Sequence, residues 1–384
     1  MVKLSKYDTP FARLELSNFL RKIAASMIGV FVPLLMLKLG GSLQDILIFL
    51  GIQYCFYLFF LPLTVFLHKI IGIKHTMALG ILVSIVSIFI INGISKETNF
   101  TGLGILLGLD MALYFLGFYY LFNQYSNVLA TKENFQNNKS TDSIVKNVAI
   151  DQFLLKLVSS AIPVGVGVIL VLFSKNVLIF GAIFLLVLSS GIFLIDRHDQ
   201  HIKPEIKLGI FKNKDLIKMF GYFMILGIDF VIAGTIWPVI LLIQSGNNLV
   251  KSGGIILIAF FISTIFIFGT GKLYQKFPVI LKFGAILNGI HWILKAFFSG
   301  EFALIGLQTT HEISKNILNV SLGSKINLKA KSLKEKSSIY NYFLVHEIGL
   351  NVGKLLIICV FGFFSNPQAL LLVTGILSFG LLLI

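Results

Sequence analysis

Ionisable residues inside long apolar runs are the residues best suited to chemistry in this sequence. A charge near the middle of a bilayer costs about 2.5–3.5 kcal/mol on insertion scales, so such a residue normally faces a cavity or a partner. The set comprises Asp110, Asp229, His291, Lys295, His311, Glu312, Lys315, Glu347 and Lys354, with Asp151 and Lys156 at the start of a further run. Proton binding and polar-ligand binding are the chemistry open to these groups.

Asp229 is an isolated acid in the apolar run Met219–Ile243. It lies about ten residues into the run, roughly 15 Å along a helix at 1.5 Å per residue. No basic residue lies within one helical turn of it, so an unpaired carboxylate there is expected either to carry a proton or to face water. Both states suit a proton or cation site. The other reading is a buried acid bonded to a neighbouring helix, and the sequence leaves both open.

The run Phe302–Ser321 is the most polar of the apolar runs. It contains Gln308, Thr309, Thr310, His311, Glu312, Lys315, Asn316 and Asn319. Positions 308, 312, 315, 316 and 319 fall on one helical face, which cannot lie against lipid. Glu312, with Lys315 or Asn316, can therefore either bind a polar ligand or close a gate, and the sequence does not choose between these roles.

Two further acids are each followed by a base in the same predicted helix. Glu347 and Lys354 lie two turns apart and share a helical face, and Asp151 precedes Lys156 in the same order. These residues are predicted to form charge pairs between the inner ends of helices. Such pairs would stabilise a state that is closed toward the inner side.

The elements that hold these residues are predicted to be long apolar helices. Hydrophobic residues make up 56% of the chain and charged residues 13%, against roughly 25% charged residues in soluble domains. A helix needs about 20 apolar residues to cross a bilayer, and continuous runs exclude the alternating strands of a membrane barrel. We predict an all-α integral membrane protein of about twelve spans. The runs are Leu20–Leu39, Ile46–Leu67, Thr76–Ile94, Gly102–Phe122, Phe153–Phe173, Val177–Ile195, Met219–Ile243, Gly254–Gly271, Val279–Phe298, Phe302–Ser321, Ile339–Phe364 and Ala369–Ile384.

Basic residues determine the predicted orientation. The net charge is +15, from 32 Lys and Arg against 17 Asp and Glu. When the loops are assigned alternately to two sides, nearly all loop Lys and Arg fall on one side, and the other side holds Lys96, Lys175 and Lys251. Cytoplasmic loops carry the excess of Lys and Arg, so both termini are predicted to be cytoplasmic. This distribution explains the charge without nucleic acid as a partner.

A weak internal repeat divides the runs into two sets of six. Segments Gly29–Gly41 and Gly234–Gly246 share two glycines and a proline at the same spacing. Because an even number of spans returns the chain to its starting side, the two halves are predicted to be parallel. The predicted halves are residues 1–195 and 219–384, joined by a basic cytoplasmic linker at 196–218.

These features resemble the major facilitator superfamily. Two six-helix halves, a long central loop and short basic loops after the second and eighth spans are typical of that family. His68–His75 is similar to its loop motif, Gly-x-x-x-Asp-Arg-x-Gly-Arg-Arg, with His68 at the acidic position. The second copy, Gly271–Lys276, also lacks the acid, and Ile162–Gly167 is similar to the family's antiporter motif without its first glycine.

The resemblance implies a secondary active transporter that works by alternating access, with the first and fourth helices of each half lining a central cavity. The predicted substrate or proton site consists of Asp229, Glu312, His311, Gln308 and Asp110. The predicted gating residues are Lys69, Gly72, Lys74, Lys276, Asp151, Glu347 and Lys354. We expect Lys69 and Lys74 to hold inner helix ends together through helix C-termini and acids such as Asp151.

The expected partners are a small-molecule substrate, protons and the lipid bilayer, for a monomer in a bacterial inner membrane. Export of an amphipathic compound is the first expectation, because the spans are apolar and aromatic and the antiporter motif is partly present. The alternative is a non-transporting membrane receptor or assembly factor on the same fold. No phosphate loop, zinc-protease motif or nucleophile elbow is present, so no enzyme, cofactor or metal site is predicted.

Overall fold

The computed structural model describes residues 9–93, 100–133, 144–158, 162, 175–195, 214–246, 249–298, 300–333, 335–364 and 366–383. These residues are almost entirely helical, and no strand occurs among them. The predicted linker at 196–218 lies mostly outside the described residues, so the boundary between the halves stays a prediction.

Most of the helices are longer than the apolar runs that predicted them. Their bounds are α1 Pro10–Lys38, α2 Leu43–Ile70, α3 Ile73–Asn92, α4 Phe100–Glu133, α5 144–158, α6 Lys175–Ile195, α7 Lys214–Val231 with its continuation Trp237–Gln244, α8 Leu249–Lys276, α9 Ile280–Phe297, α10 Glu301–Ser332, α11 Lys336–Phe364 and α12 Pro367–Ser378. A 3₁₀ turn, Phe379–Leu383, follows α12. The polar segments after the fourth and tenth runs thus extend α4 and α10.

A π-helical turn interrupts α7 beside the repeated proline. The turn covers Ile232–Ile236 and joins the two parts of α7. Pro238 has no backbone N–H for the carbonyl of Gly234 and crowds that carbonyl, and a π-bulge is one way for a helix to absorb such a defect. The turn lies one helical turn beyond Asp229, in the helix predicted to line the cavity.

Eight helices among the described residues are long and apolar enough to cross a membrane. This finding confirms a multi-pass membrane protein. Large apolar side chains on the outer faces of these helices are exposed in the isolated chain, as expected of surfaces that meet lipid. Examples are Phe59, Phe180, Phe261, Ile265 and Phe283. The count of twelve spans and the cytoplasmic placement of the termini stay predictions.

The helices pack in equivalent pairs within the first and second sets. The contacts of α2 with α4, α3 with α4, α1 with α6 and α3 with α6 correspond to those of α8 with α10, α9 with α10, α7 with α12 and α9 with α12. Between the sets, α2 and α4 contact α11. On α5, Ala149 and Phe153 pack against Ile267 of α8 and Val320 of α10.

Small residues allow α7 and α11 to approach with their backbones in contact. A Cβ atom placed on Gly227 would overlap the carbonyl oxygen of Leu350, and one placed on Gly353 would overlap that of Met224. Glycines at such crossings are a common device of membrane helices, because van der Waals contact is the main attraction available in lipid. The crossing fixes Asp229, two residues beyond Gly227, against the neighbouring helices.

Candidate functional site

Buried polar side chains from α7, α9 and α10 of the second set, together with Lys156 from α5 of the first set, form one connected group. We call it the C-terminal polar cluster. Its members are Lys156, Asp229, Trp237, Asn288, Trp292, Lys295, Gln308, His311, Glu312 and Lys315. Four of the five residues predicted as a substrate or proton site meet here, namely Asp229, Gln308, His311 and Glu312.

Asp229 is fully partnered by side chains of α9 and α10. Lys315 Nζ lies 3.3 Å from its Oδ2 atom. Asn288 Nδ2 and Trp292 Nε1 donate to its Oδ1 atom at 3.1 and 2.7 Å. Of the two possibilities that the sequence left open, the structure shows an acid bonded to neighbouring helices and not an unpaired carboxylate. The partners of Asp229 lie on α9 and α10, so they cannot be recognised from the residues within one helical turn of it in α7.

Lys295 lies between the two tryptophans of the chain. Its Nζ atom is 4.2 Å from the ring centroid of Trp237 and 4.6 Å from that of Trp292. It also lies 2.7 Å from Gln308 Oε1 and 2.5 Å from His311 Nδ1. Aromatic faces and two acceptors together stabilise an ammonium group. The sequence reading did not single out either tryptophan, although both are buried and no other tryptophan occurs in the chain.

His311 links Lys295 to the partners of Asp229. Its Nε2 atom lies 3.0 Å from Asn288 Oδ1, and its Nδ1 atom faces Lys295. Because an ammonium group only donates, we assign Nδ1 as the acceptor and place the imidazole proton on Nε2. Asn288 then accepts from His311 and donates to Asp229, so the cluster is continuous from Lys295 to the carboxylate.

Glu312 forms an ion pair with Lys156, and this pair joins α10 to α5. Gln308 Nε2 also donates to Glu312 Oε1 at 3.1 Å. The side chains of Lys156 and Glu312 are 8% and 5% exposed, so the pair is buried. It connects the first and second sets of helices through charged groups, beside the apolar contact of Phe153 with Phe268 at 5.2 Å between ring centroids.

Asp110 lies in a separate group, which we call the N-terminal polar cluster. Its members are Asn18, Arg21, Lys22, Asp110, Tyr114 and Asp151. Arg21 contacts both carboxylate oxygens of Asp110 at 3.0 and 3.1 Å, and its guanidinium lies 3.9 Å from the ring centroid of Tyr114. The structure thus places Asp110 with an arginine of α1 and not with the other four predicted site residues.

Of the residues predicted to form charge pairs between helix ends, Asp151 and Lys156 each pair with a residue of another helix and not with each other. Asp151 lies 2.5 Å from Lys22 of α1, and Lys156 pairs with Glu312. Residues five apart on a helix are separated by about 140° around its axis, so Asp151 and Lys156 face different neighbours.

Glu347 likewise has partners other than Lys354. It accepts from Tyr57 Oη of α2 and lies 2.9 Å from His346 Nδ1. Lys354 lies 3.3 Å from Asn351 Oδ1 and 4.7 Å from the ring centroid of Tyr54. The two residues share a face, but two helical turns separate them by about 10 Å. Each therefore contacts α2 at its own level.

The remaining predicted gating residues lie at the ends of α2, α3 and α8. Gly72 joins α2 to α3 with φ of 85°, a conformation that favours glycine. Lys74 is buried, with its Nζ atom 5.7 Å from the ring centroid of Tyr125. Lys69 and Lys276 are exposed near the ends of their helices. The expected partner Asp151 is bonded to Lys22 instead, and the gating roles of these lysines stay predictions.

Side chains bridge the two sets of helices at the end predicted to be cytoplasmic. Asn123 Nδ2 of α4 donates to both the backbone oxygen and Oδ1 of Asn327 in α10, each at 3.0 Å. His68 Nδ1 of α2 lies 2.6 Å from Tyr340 Oη of α11. His68 occupies the acidic position of the loop motif, and here its ring bridges α2 to α11.

Metal binding has no support among the described residues, where no group of three His, Cys, Asp or Glu side chains could hold an ion. No family model and no curated protein matches the sequence.

Solved structures match the whole fold. The transporter FucP in its outward conformation matches at a TM-score of 0.65 and 15% identity, covering 98% of both chains. A bacterial homologue of the iron transporter ferroportin in its outward-facing state matches at 0.68 and 12%, covering 97% of this chain and 96% of that one. The nucleoside transporter NupG matches at 0.64 and 14%, covering 97% and 98%. This chain is a multi-pass membrane protein with the fold of the major facilitator superfamily.

Proposed function

We propose that this protein is a secondary active transporter that moves a small molecule by alternating access, with the C-terminal polar cluster as part of its substrate or coupling-ion site. The observation that carries the proposal is the buried ion pair between Lys156 and Glu312, which joins the two sets of helices. A pair in this position contributes to one arrangement of the halves and is lost when α5 and α10 separate.

The ion pair gives a ligand a physical route to bias that arrangement. Removing one partner of a buried pair leaves an uncompensated charge, at a cost of about 3–5 kcal/mol. A proton on Glu312 removes the attraction, and a ligand that pairs with Lys156 or Glu312 replaces the lost partner. Either event lowers the cost of separating the two side chains. Ligand and coupling ion then bind the two arrangements unequally, which is the requirement for driving a conformational change.

Proton coupling through Glu312, with Asp229 as a second candidate, is part of the proposal. Glu312 is favoured because its partner Lys156 belongs to the other set of helices, so its protonation acts directly on their contact. Asp229 is bonded only to residues of α9 and α10, within its own set. Protonation of Asp229 would change its contacts with α9 and α10, and it would affect the contact between the two sets of helices only indirectly.

An amphipathic compound remains the proposed substrate, and export the proposed direction. Trp237 and Trp292 support the aromatic part of this proposal, because indole rings offer apolar faces beside donors and acceptors. The antiporter-like segment Ile162–Gly167 supports export by sequence, and it lies outside the described residues except for Ile162.

Solute counterflow tests the proposal after a ligand has been found by thermal-shift screening of the purified protein. Proteoliposomes loaded with unlabelled ligand should take up the labelled ligand without any ion gradient. Glu312→Gln and Lys156→Met should change the exchange rate, and Glu335→Gln, at an exposed acid, should not. A ligand that binds without exchange would favour the alternative of a membrane receptor or assembly factor.

A further inference from the structure

Glu15 is a buried acid on α1 whose carboxyl group has no hydrogen-bond partner. The residue is 7% exposed. Both of its carboxyl oxygens are buried, and neither is bonded in the part of the chain that the structure describes. An ionised carboxylate in such a place lacks both water and donors, and its burial would cost several kcal/mol or more. Protonation removes that cost.

A second acid, Asp151, interacts with the same lysine as Glu15. Asn18 and Lys22 lie one and two turns beyond Glu15 on the same face of α1. Both contact Asp151 of α5, Lys22 at 2.5 Å and Asn18 at 3.4 Å. Glu15 therefore lies on the face turned toward Asp151, close enough for the two carboxyl groups to interact electrostatically. Two acids here share one lysine.

The other polar groups near this face are engaged elsewhere. Arg21 is bonded to both oxygens of Asp110. The hydroxyl of Tyr114 donates to Asn18 Oδ1 at 3.3 Å. On the side of α1 that meets α6, Ser17 is bonded to Ser189. Lys22 is the cation that interacts electrostatically with Glu15, and Lys22 is bonded to Asp151.

We propose that Glu15 is a proton-binding site of the N-terminal polar cluster, occupied in this state and emptied when Lys22 transfers from Asp151 to the Glu15 carboxylate. The bound ligand is a proton. Its release breaks the O–H bond of Glu15 and transfers the proton to water. Water reaches this region at the Lys22–Asp151 pair, whose side chains are 16% and 15% exposed. The role of the site in coupling rests on the proposed function, whereas its occupancy does not.

Loss of this proton would act on α5. While Glu15 is protonated, Lys22 attaches α1 to Asp151 of α5. Once Glu15 is ionised, it competes for Lys22, and the attachment of α5 to α1 weakens. The same helix carries Lys156, which attaches α5 to Glu312 of α10. Proton release at Glu15 and separation of the two sets of helices therefore involve one element, α5.

Infrared spectroscopy of the purified protein tests the occupancy without a substrate. A protonated carboxyl group has a carbonyl stretch that is separate from the carboxylate bands and shifts in heavy water. At pH 7 the difference between wild type and Glu15→Gln should contain this band, and the difference between wild type and Glu335→Gln should not. Glutamine has the shape of a protonated glutamate, so the variant should keep its melting temperature. An absent band would overturn the proposal.

A second variant decides the matter if Glu15→Gln does not fold. Asp151→Asn removes the competing charge, so Lys22 becomes free to pair with Glu15, and the protonated-carboxyl band should disappear at pH 7. An unchanged band in Asp151→Asn would contradict the proposal.

In proteoliposomes, Glu15→Gln should exchange ligand but lose uptake driven by a pH gradient. If the band is present and gradient-driven uptake persists in Glu15→Gln, the coupling role is wrong. If wild type shows no transport, the proposed function fails instead.

Discussion

Lys156 on α5 and Glu312 on α10 form a buried ion pair that connects the first set of helices to the second. Replacing one partner should lower the free energy of unfolding far more than replacing both. Lys156→Met and Glu312→Gln should each lower the unfolding free energy by about 3–5 kcal/mol, because each leaves one buried charge alone. The double variant should recover most of that loss. Thermal unfolding in detergent measures this, and additive losses in the double variant would show that the two groups do not interact.

The partners of Asp229 lead to a second prediction. Asp229→Asn leaves Lys315 without its carboxylate, so the variant should be destabilised by about 3–5 kcal/mol. Asp229→Asn combined with Lys315→Met should recover stability. If Asp229→Asn alone keeps the melting temperature of wild type, the pairing seen here contributes nothing, and the reading of Asp229 as a protonated, functional acid regains support.

The two tryptophans of the C-terminal polar cluster allow a comparison of how much a hydrogen bond to a charged acceptor and one to a neutral acceptor contribute to stability. Trp292 Nε1 donates to the carboxylate of Asp229, whereas Trp237 Nε1 donates to the neutral oxygen of Gln308, both at 2.7 Å. Replacement by phenylalanine keeps a ring and removes the donor. We expect a loss of about 1.5–3 kcal/mol for Trp292→Phe and about 0.5–1.5 kcal/mol for Trp237→Phe. Equal or reversed losses would contradict a charged Asp229.

The crossing of α7 and α11 predicts a strong effect of a single methyl group. Gly227→Ala should lower stability by about 1–3 kcal/mol or more, because its Cβ would overlap the backbone of Leu350. The control is Gly221→Ala on the same helix, where nothing lies within 4 Å of the added atom. Wild-type stability in both variants would show that the helices are not in backbone contact at position 227.

The distribution of basic residues predicts which ends face the cytoplasm. After replacement of Cys55 and Cys359, a single cysteine at exposed Ser332 should be protected from an impermeant reagent in intact cells. A cysteine at exposed Lys175 should react readily. The opposite labelling pattern would reverse the predicted orientation of the whole chain.

Hydropathy predicted the eight long apolar helices found among the described residues, because burial in lipid is a property of each segment by itself. The partners of the buried charges were not predictable in this way. Asp229 and Lys315, like Lys156 and Glu312, are far apart in sequence and meet only through helix packing. The order of Asp151 and Lys156 along one helix did not identify their partners, because five residues turn the chain onto another face. The polar stripe on α10 was predictable, since it rests on spacing within one helix.

Glu15 went unnoticed in the sequence because it precedes the first apolar run, where an acid looks like part of a solvated helix end. Its burial arises from α1 beginning at Pro10, ten residues before the predicted run, and packing against α4 and α6. The signal available in the sequence was its spacing from Asn18 and Lys22, one and two helical turns away.

Counterflow by the purified protein in proteoliposomes is the most direct test of the central claim, that this chain is a transporter working by alternating access. With a ligand identified by thermal shift, wild type should exchange labelled for unlabelled ligand across the bilayer in the absence of any gradient, and Lys156→Met should exchange it at a different rate. Saturable binding of that ligand by wild type, with no exchange above protein-free liposomes, would contradict the account and identify a receptor.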